Sequence, residues 1–129
     1  MNGKSIKSDK EWFEQAEYDM KSADVMFAGG RYIYSVFLCH LCIEKTLKGL
    51  FVRQFKKNPP KTHNLLYFLN ALDIKADEEQ NTIIMKLNEA SIPTRYPEDL
   101  KGMLKEFSKA NAGSILANTK RILKWLKVK

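Results

Sequence analysis

The chain has 129 residues, 44% hydrophobic and 29% charged, with 22 Lys and Arg against 15 Asp and Glu for a formal net charge of +7. A chain of this length makes one domain, buries roughly two-thirds of its unfolded surface and needs no disulfide or metal staple, which excludes small extracellular scaffolds. The opening stretch MNGKSIKSDKEWFEQ carries no apolar targeting segment, and the longest apolar run, Tyr32 to Ile43, falls short of the roughly 20 residues of a membrane helix. A single cytoplasmic domain over residues 1–129 with no membrane partner is therefore expected. Its positive balance favours polyanionic partners such as nucleic acid, nucleotides or an acidic protein.

Helical periodicity runs from end to end. Ser8 and Glu11 have capping-box spacing, and Trp12, Ala16, Met20, Ala23 and Phe27 recur at three- or four-residue steps, which predicts an amphipathic helix of about five turns. Gly29-Gly30 supplies its left-handed stop. From Arg31 to Phe55 a second helix is predicted. Its first half is apolar on every side, so it is the central one, and its second half offers Glu44 and Lys48 as an i,i+4 pair. Pro59-Pro60 ends it. Leu65, Leu66, Phe68, Leu69 and Leu72 mark a short third helix. Asp77-Glu78-Glu79 place acids in the first turn of a fourth, and a fifth runs from about Leu104 to Leu126, with Pro93 and Pro97 bracketing a loop between them. No alternating segment reads as a strand. The expected fold is all-α, an up-down four-helix bundle with one additional short helix.

Cys39, His40 and Cys42 invite a metal reading, but a zinc site needs three or four converging ligands, and the other histidine, His63, is 23 residues away with no further cysteine in the chain. Two core thiols with His40 at a satisfied edge fit better, and neither a metal nor a cofactor is expected. No phosphate-cradling glycine loop or hydrolase elbow occurs. Two polar turns carry more weight. In Asn58-Pro59-Pro60-Lys61-Thr62-His63-Asn64, His63 either brings a near-neutral titrating group to a helix start or simply packs the turn. In Pro93-Thr94-Arg95-Tyr96-Pro97, Arg95 and Tyr96 either pair with a phosphate and stack a base, or Tyr96 plugs the bundle end while Arg95 bonds a neighbour such as Glu44.

The opener Asp9 to Phe27, the Gly30-Arg31-Tyr32 restart, the Ile43-Glu44-Lys45-Thr46-Leu47-Lys48-Gly49-Leu50 segment, the Pro60-Lys61-Thr62-His63-Asn64-Leu65 turn and Arg95-Tyr96-Pro97 follow one another in an order that resembles the HEPN domain (higher eukaryotes and prokaryotes nucleotide-binding), in its stand-alone prokaryotic form. The resemblance spans nearly the whole chain. It implies a homodimer whose polar groups meet in a shared cleft, partnership with a minimal nucleotidyltransferase in a toxin–antitoxin module, and nucleotide or RNA as ligand. Arg95, Tyr96, His63, Lys45, Lys48 and Glu44 are the candidate phosphate-binding residues. Many HEPN proteins also cleave RNA without metal, through an Arg and a His with four to six residues between them. Here the separations from Arg31 to His40 and from Arg53 to His63 are 9 and 10, and the corresponding positions after Arg95 are Leu100, Lys101 and Gly102. An endoribonuclease would have to use a displaced pair, Arg95 with His63. A purely structural interaction module is the third alternative.

Overall fold

In the computed structural model, which describes residues 5–96 and 98–129, six helices follow one another: α1 (Asp9–Ala28), α2 (Tyr32–Phe55), α3 (Leu65–Ala71), α4 (Glu78–Arg95), α5 (Leu100–Glu106) and α6 (Lys109–Leu126). No strand occurs among the described residues. Four helices are long, and side-chain pairs fix their directions. Asp9 at the start of α1 meets Arg53 at the end of α2, while Ser35 Oγ, near the start of α2, donates to the Ala23 carbonyl at 2.9 Å. Arg95, closing α4, lies over Phe37 early in α2. Lys120 of α6 pairs with Asp24 of α1 at 2.7 Å, and Lys127 pairs with Glu17. Successive long helices therefore alternate, giving the expected up-down bundle.

Local chemistry explains the ends. Ser8 accepts the Glu11 amide at 3.0 Å, but Glu11 turns to Gln15 instead of back to the cap. The reciprocal capping box forms at α4, where Asp77 accepts the Gln80 amide at 2.7 Å and the Gln80 side chain accepts the Asp77 amide at 2.9 Å. Gly30 adopts φ 76°, and the Arg31 amide returns to the Met26 carbonyl at 2.7 Å, which closes α1 as a left-handed cap.

α2 is the central helix, and its burial extends past the apolar half as far as Val52. Ile43, Leu47, Phe68, Ile84, Leu87, Ile122 and Leu126 make the main core around it, each worth roughly 1.5–3 kcal/mol of burial. A smaller cluster of Ile33, Val36, Ala90, Met103, Phe107 and Ala112 seals the end where α4, α5 and the start of α2 meet.

Two expectations about the second half are corrected. Pro93 does not open a loop but sits within the last turn of α4, which continues to Arg95. Proline removes a single amide there. Thr94 Oγ1 donates to the Ala90 carbonyl and the Tyr96 amide to the Ile92 carbonyl at 2.8 Å, so the turn holds. Pro97, the other end of that bracket, lies outside the described residues. The fifth predicted helix divides at Phe107–Ser108. Ser108 caps α6 by accepting the Asn111 amide, and Asn111 Nδ2 donates to the Glu106 carbonyl at 2.8 Å, which turns Phe107 into the smaller cluster.

Candidate functional site

Phe37, His40, Glu44 and Lys48 stand three and four residues apart, one stripe on α2. The stripe is polar inside a helix that is otherwise core, so each charge on it needs a partner. Glu44 is the hub. It is 3% exposed, accepts Lys48 Nζ at Oε2 over 3.0 Å, and accepts His63 Nδ1 at Oε1 over 2.8 Å. His63 reaches it from the turn before α3. Asn64 rather than His63 caps that helix, accepting the Leu66 amide at 3.1 Å, and the His63 ring turns inward to the carboxylate.

His40 lies one turn before Glu44. It is fully buried rather than at an edge, and its Nε2 lies 3.0 Å from the His63 carbonyl oxygen. A carbonyl only accepts, so Nε2 carries the hydrogen. Burial pushes the His40 pKa down to about 4, against the pull of the Glu44 charge and the bond to His63; the positive charge of Arg95 pushes the same way as burial. Its Nδ1 is left bare, 3.8 Å from Glu44 Oε1, with no hydrogen-bond partner.

Arg95 completes this end of the bundle. Its guanidinium carbon stands 4.9 Å from the Phe37 ring centroid, and Nη2 is buried without a partner. It does not bond Glu44, whose two oxygens are taken by His63 and Lys48. Among the described residues no carboxylate pairs with Arg95. Tyr96, which follows it, is 68% exposed and plugs nothing. Lys45 does not join the cluster: Asp19 of α1 engages its Nζ at 2.9 Å. Trp12 does stand beside it, with Lys7 Nζ 4.1 Å and Lys48 Nζ 5.6 Å from its ring centroid.

Of the candidate residues, then, Glu44, Lys48 and His63 are bonded together, Arg95 with Tyr96 sits beside them, and Lys45 stands apart. His40, Phe37 and Trp12 were missed by sequence reasoning. The stripe of spacing 37, 40, 44, 48 was the signal for the first two; nothing in the sequence marked Trp12. Elsewhere, a cleft of about 180 Å³ between α1, α2 and α6 is lined by Phe13, Leu50, Leu123 and Leu126, but its rim charges are already matched, Arg53 with Asp9 and Lys127 with Glu17. The Arg53 guanidinium bonded to Asp9 holds that carboxyl below the usual range. The buried thiols are chemically quiet: burial raises the Cys39 pKa to about 11 and raises that of Cys42 further. Among the described residues no group of three His, Cys, Asp or Glu is gathered closely enough to hold a metal ion, and no helix is long and apolar enough to cross a membrane.

Comparison with known proteins places the chain. The model of the HEPN domain matches residues 10–129. No curated protein matches the chain. Among solved structures, TT1696 from Thermus thermophilus superposes with a TM-score of 0.80 at 24% identity, over 92% of this chain and 95% of that one. ST0689, an archaeal HEPN homologue, superposes with a TM-score of 0.74 at 27% identity, over 95% of this chain and 97% of that one.

Proposed function

The chain belongs to the HEPN domain family, and from that premise we propose that it binds the phosphate of a nucleotide or an RNA at the Arg95 end of the bundle, as the partner of a minimal nucleotidyltransferase in a toxin–antitoxin module. The observation that carries this reading is Arg95, with which no carboxylate pairs among the described residues. Beside it, Lys48 and His63 share Glu44, and Lys45, farther off, has Asp19. Arg95 has only the Phe37 ring beneath it, which fixes the guanidinium plane without neutralising its charge. A phosphate supplies the missing charge and the acceptors, and the exposed Tyr96 ring beside it offers a stacking surface for a base. The +7 balance adds long-range attraction for a polyanion.

In this reading the protein works as a homodimer. Tyr34 of α2, Ile92 of α4, Tyr96 after it, and Leu100 and Leu104 of α5 are each more than half exposed, apolar area that a second copy would cover. The test is RNA affinity of Arg95→Ala against Lys75→Ala, an exposed lysine on the far linker. Loss in the first alone supports the site, and equal affinities of both with the wild type refute it. Partner capture and molar mass in solution check the remaining terms.

One observation favours a second reading, a metal-independent endoribonuclease. With Nδ1–H committed to Glu44, His63 keeps a bare Nε2 on a ring whose side chain is 53% exposed, the arrangement of a general base oriented by a carboxylate. Arg95 would then steady the phosphate as the 2′-hydroxyl loses its proton.

A further inference from the structure

We infer that His40, which touches no ligand, is the positioning residue that sets the tautomer of His63 and so decides what His63 presents to solvent. This rests on the reading that the His63 end of the bundle is the working site. The geometry closes into a loop of constraints. The His63 backbone carbonyl accepts from His40 Nε2 at 3.0 Å, which places the single hydrogen of the neutral, fully buried imidazole on that nitrogen. His40 Nδ1 is then a bare lone pair aimed at Glu44 Oε1 over 3.8 Å, two acceptors facing one another. His40 cannot donate to Glu44. The donor that Oε1 finds is His63 Nδ1, at 2.8 Å. Glu44 thereby holds His63 in its Nδ1–H form, and Nε2 faces outward as an acceptor of protons or of a ligand's hydrogen. The backbone of His63 thus governs its own ring through two buried side chains.

The charged and titratable groups that face His40 come from three elements: Glu44 from its own helix, His63 from the turn before α3, and Arg95 from α4. Lys48 holds the other Glu44 oxygen at 3.0 Å, which opposes rotation of the carboxylate away from the His63 imidazole. A hydrogen on His40 Nδ1 would compete with His63 for Oε1, and the bond to the His63 carbonyl prevents this at neutral pH.

Long-range proton–nitrogen correlation spectra of the two imidazoles in the full chain at pH 8 test this directly. The expected result is a hydrogen on Nε2 of His40 and on Nδ1 of His63; the opposite tautomer on either ring overturns the inference. Two variants test causation. His40→Gln keeps an amide donor for the His63 carbonyl, so His63 should stay in its Nδ1–H form with pyrophosphate affinity within about twofold of the wild type. His40→Leu keeps the bulk and loses the donor; His63 should move to a mixture of its two tautomers. A folded His40→Leu protein with an unchanged His63 tautomer refutes the inference, as does a folded His40→Gln protein that loses it. If the tautomers are as expected but pyrophosphate does not bind the wild type, the phosphate-site reading fails while this one stands.

Discussion

Protonating His40 should unfold the protein by a calculable amount. The imidazole is fully buried, and its pKa is lowered from 6.5 to about 4. The unfolded chain therefore binds this proton as pH falls through 6.5, while the native state refuses it until about 4. A depressed histidine pKa favours the native state fully above the unfolded value, and that contribution disappears as pH falls between the two. At 1.36 kcal/mol for each unit of difference, linkage gives a loss of about 2 kcal/mol between pH 7.5 and 5, rising to about 3 kcal/mol by pH 4. Urea unfolding followed by circular dichroism at pH 7.5, 6, 5 and 4 reads this directly. Because carboxylates also titrate near the bottom of that range, the informative quantity is the difference between the wild type and His40→Gln. The variant has no group to protonate, so its stability should fall less, by about 2 kcal/mol at pH 5 relative to pH 7.5. Parallel stability curves for the two proteins between pH 7.5 and 5 would refute the assignment of His40 as a buried neutral imidazole.

Three further outcomes follow from particular contacts. Gly49→Ala should destabilise the protein by about 1–3 kcal/mol in thermal unfolding, because a Cβ there would press into the Phe13 ring, 2.7 Å from Cδ1; Phe13→Leu in the same chain should recover most of the loss. Cys39 and Cys42 should resist a thiol-reactive dye at pH 8 until urea unfolds the chain, since burial lifts both pKa values far above that pH; labelling of the folded protein would contradict their burial. Asp77→Ala, which removes the reciprocal cap of α4, should cost about 1 kcal/mol and leave the Glu44 cluster intact, as shown by unchanged His40 and His63 resonances.

Much of the fold was legible because it rests on local rules. The periodic stripe of α1, the Gly29-Gly30 stop and the all-round apolar start of α2 each have a local cause that survives folding. The errors fell where tertiary contacts override those rules. Pro93 signalled a break, yet one missing amide in a final turn is tolerable once Thr94 and Tyr96 bond backward. Residues 104–126 read as one helix, yet burying Phe107 beside Ile33 and Met103 requires a bend there, and Ser108 with Asn111 was the overlooked cap. The candidate site shows the same division. Glu44 and Lys48 are four apart and could be paired from sequence, but their burial could not be foreseen, since surface pairs have the same spacing. His63 to Glu44 spans 19 residues across a turn, and the choice of His63 over Arg95 as the Glu44 partner is a three-dimensional fact. Lys45 matched the motif as well as Lys48 did; Asp19, on the preceding helix, is what removes it.

The central claim is that Arg95 waits for a phosphate. Wild type and Arg95→Ala should be run against labelled mixed-sequence RNA in EDTA, with retarded and cleaved fractions read from one gel. A charge-assisted hydrogen bond of about 1.5–3 kcal/mol predicts a loss of roughly 10- to 100-fold in RNA affinity on removing the guanidinium. Intact RNA retarded by the wild type and released by the variant is the predicted result, and cleavage lost in the variant would add the ribonuclease reading. Retardation equal in both proteins would contradict the account.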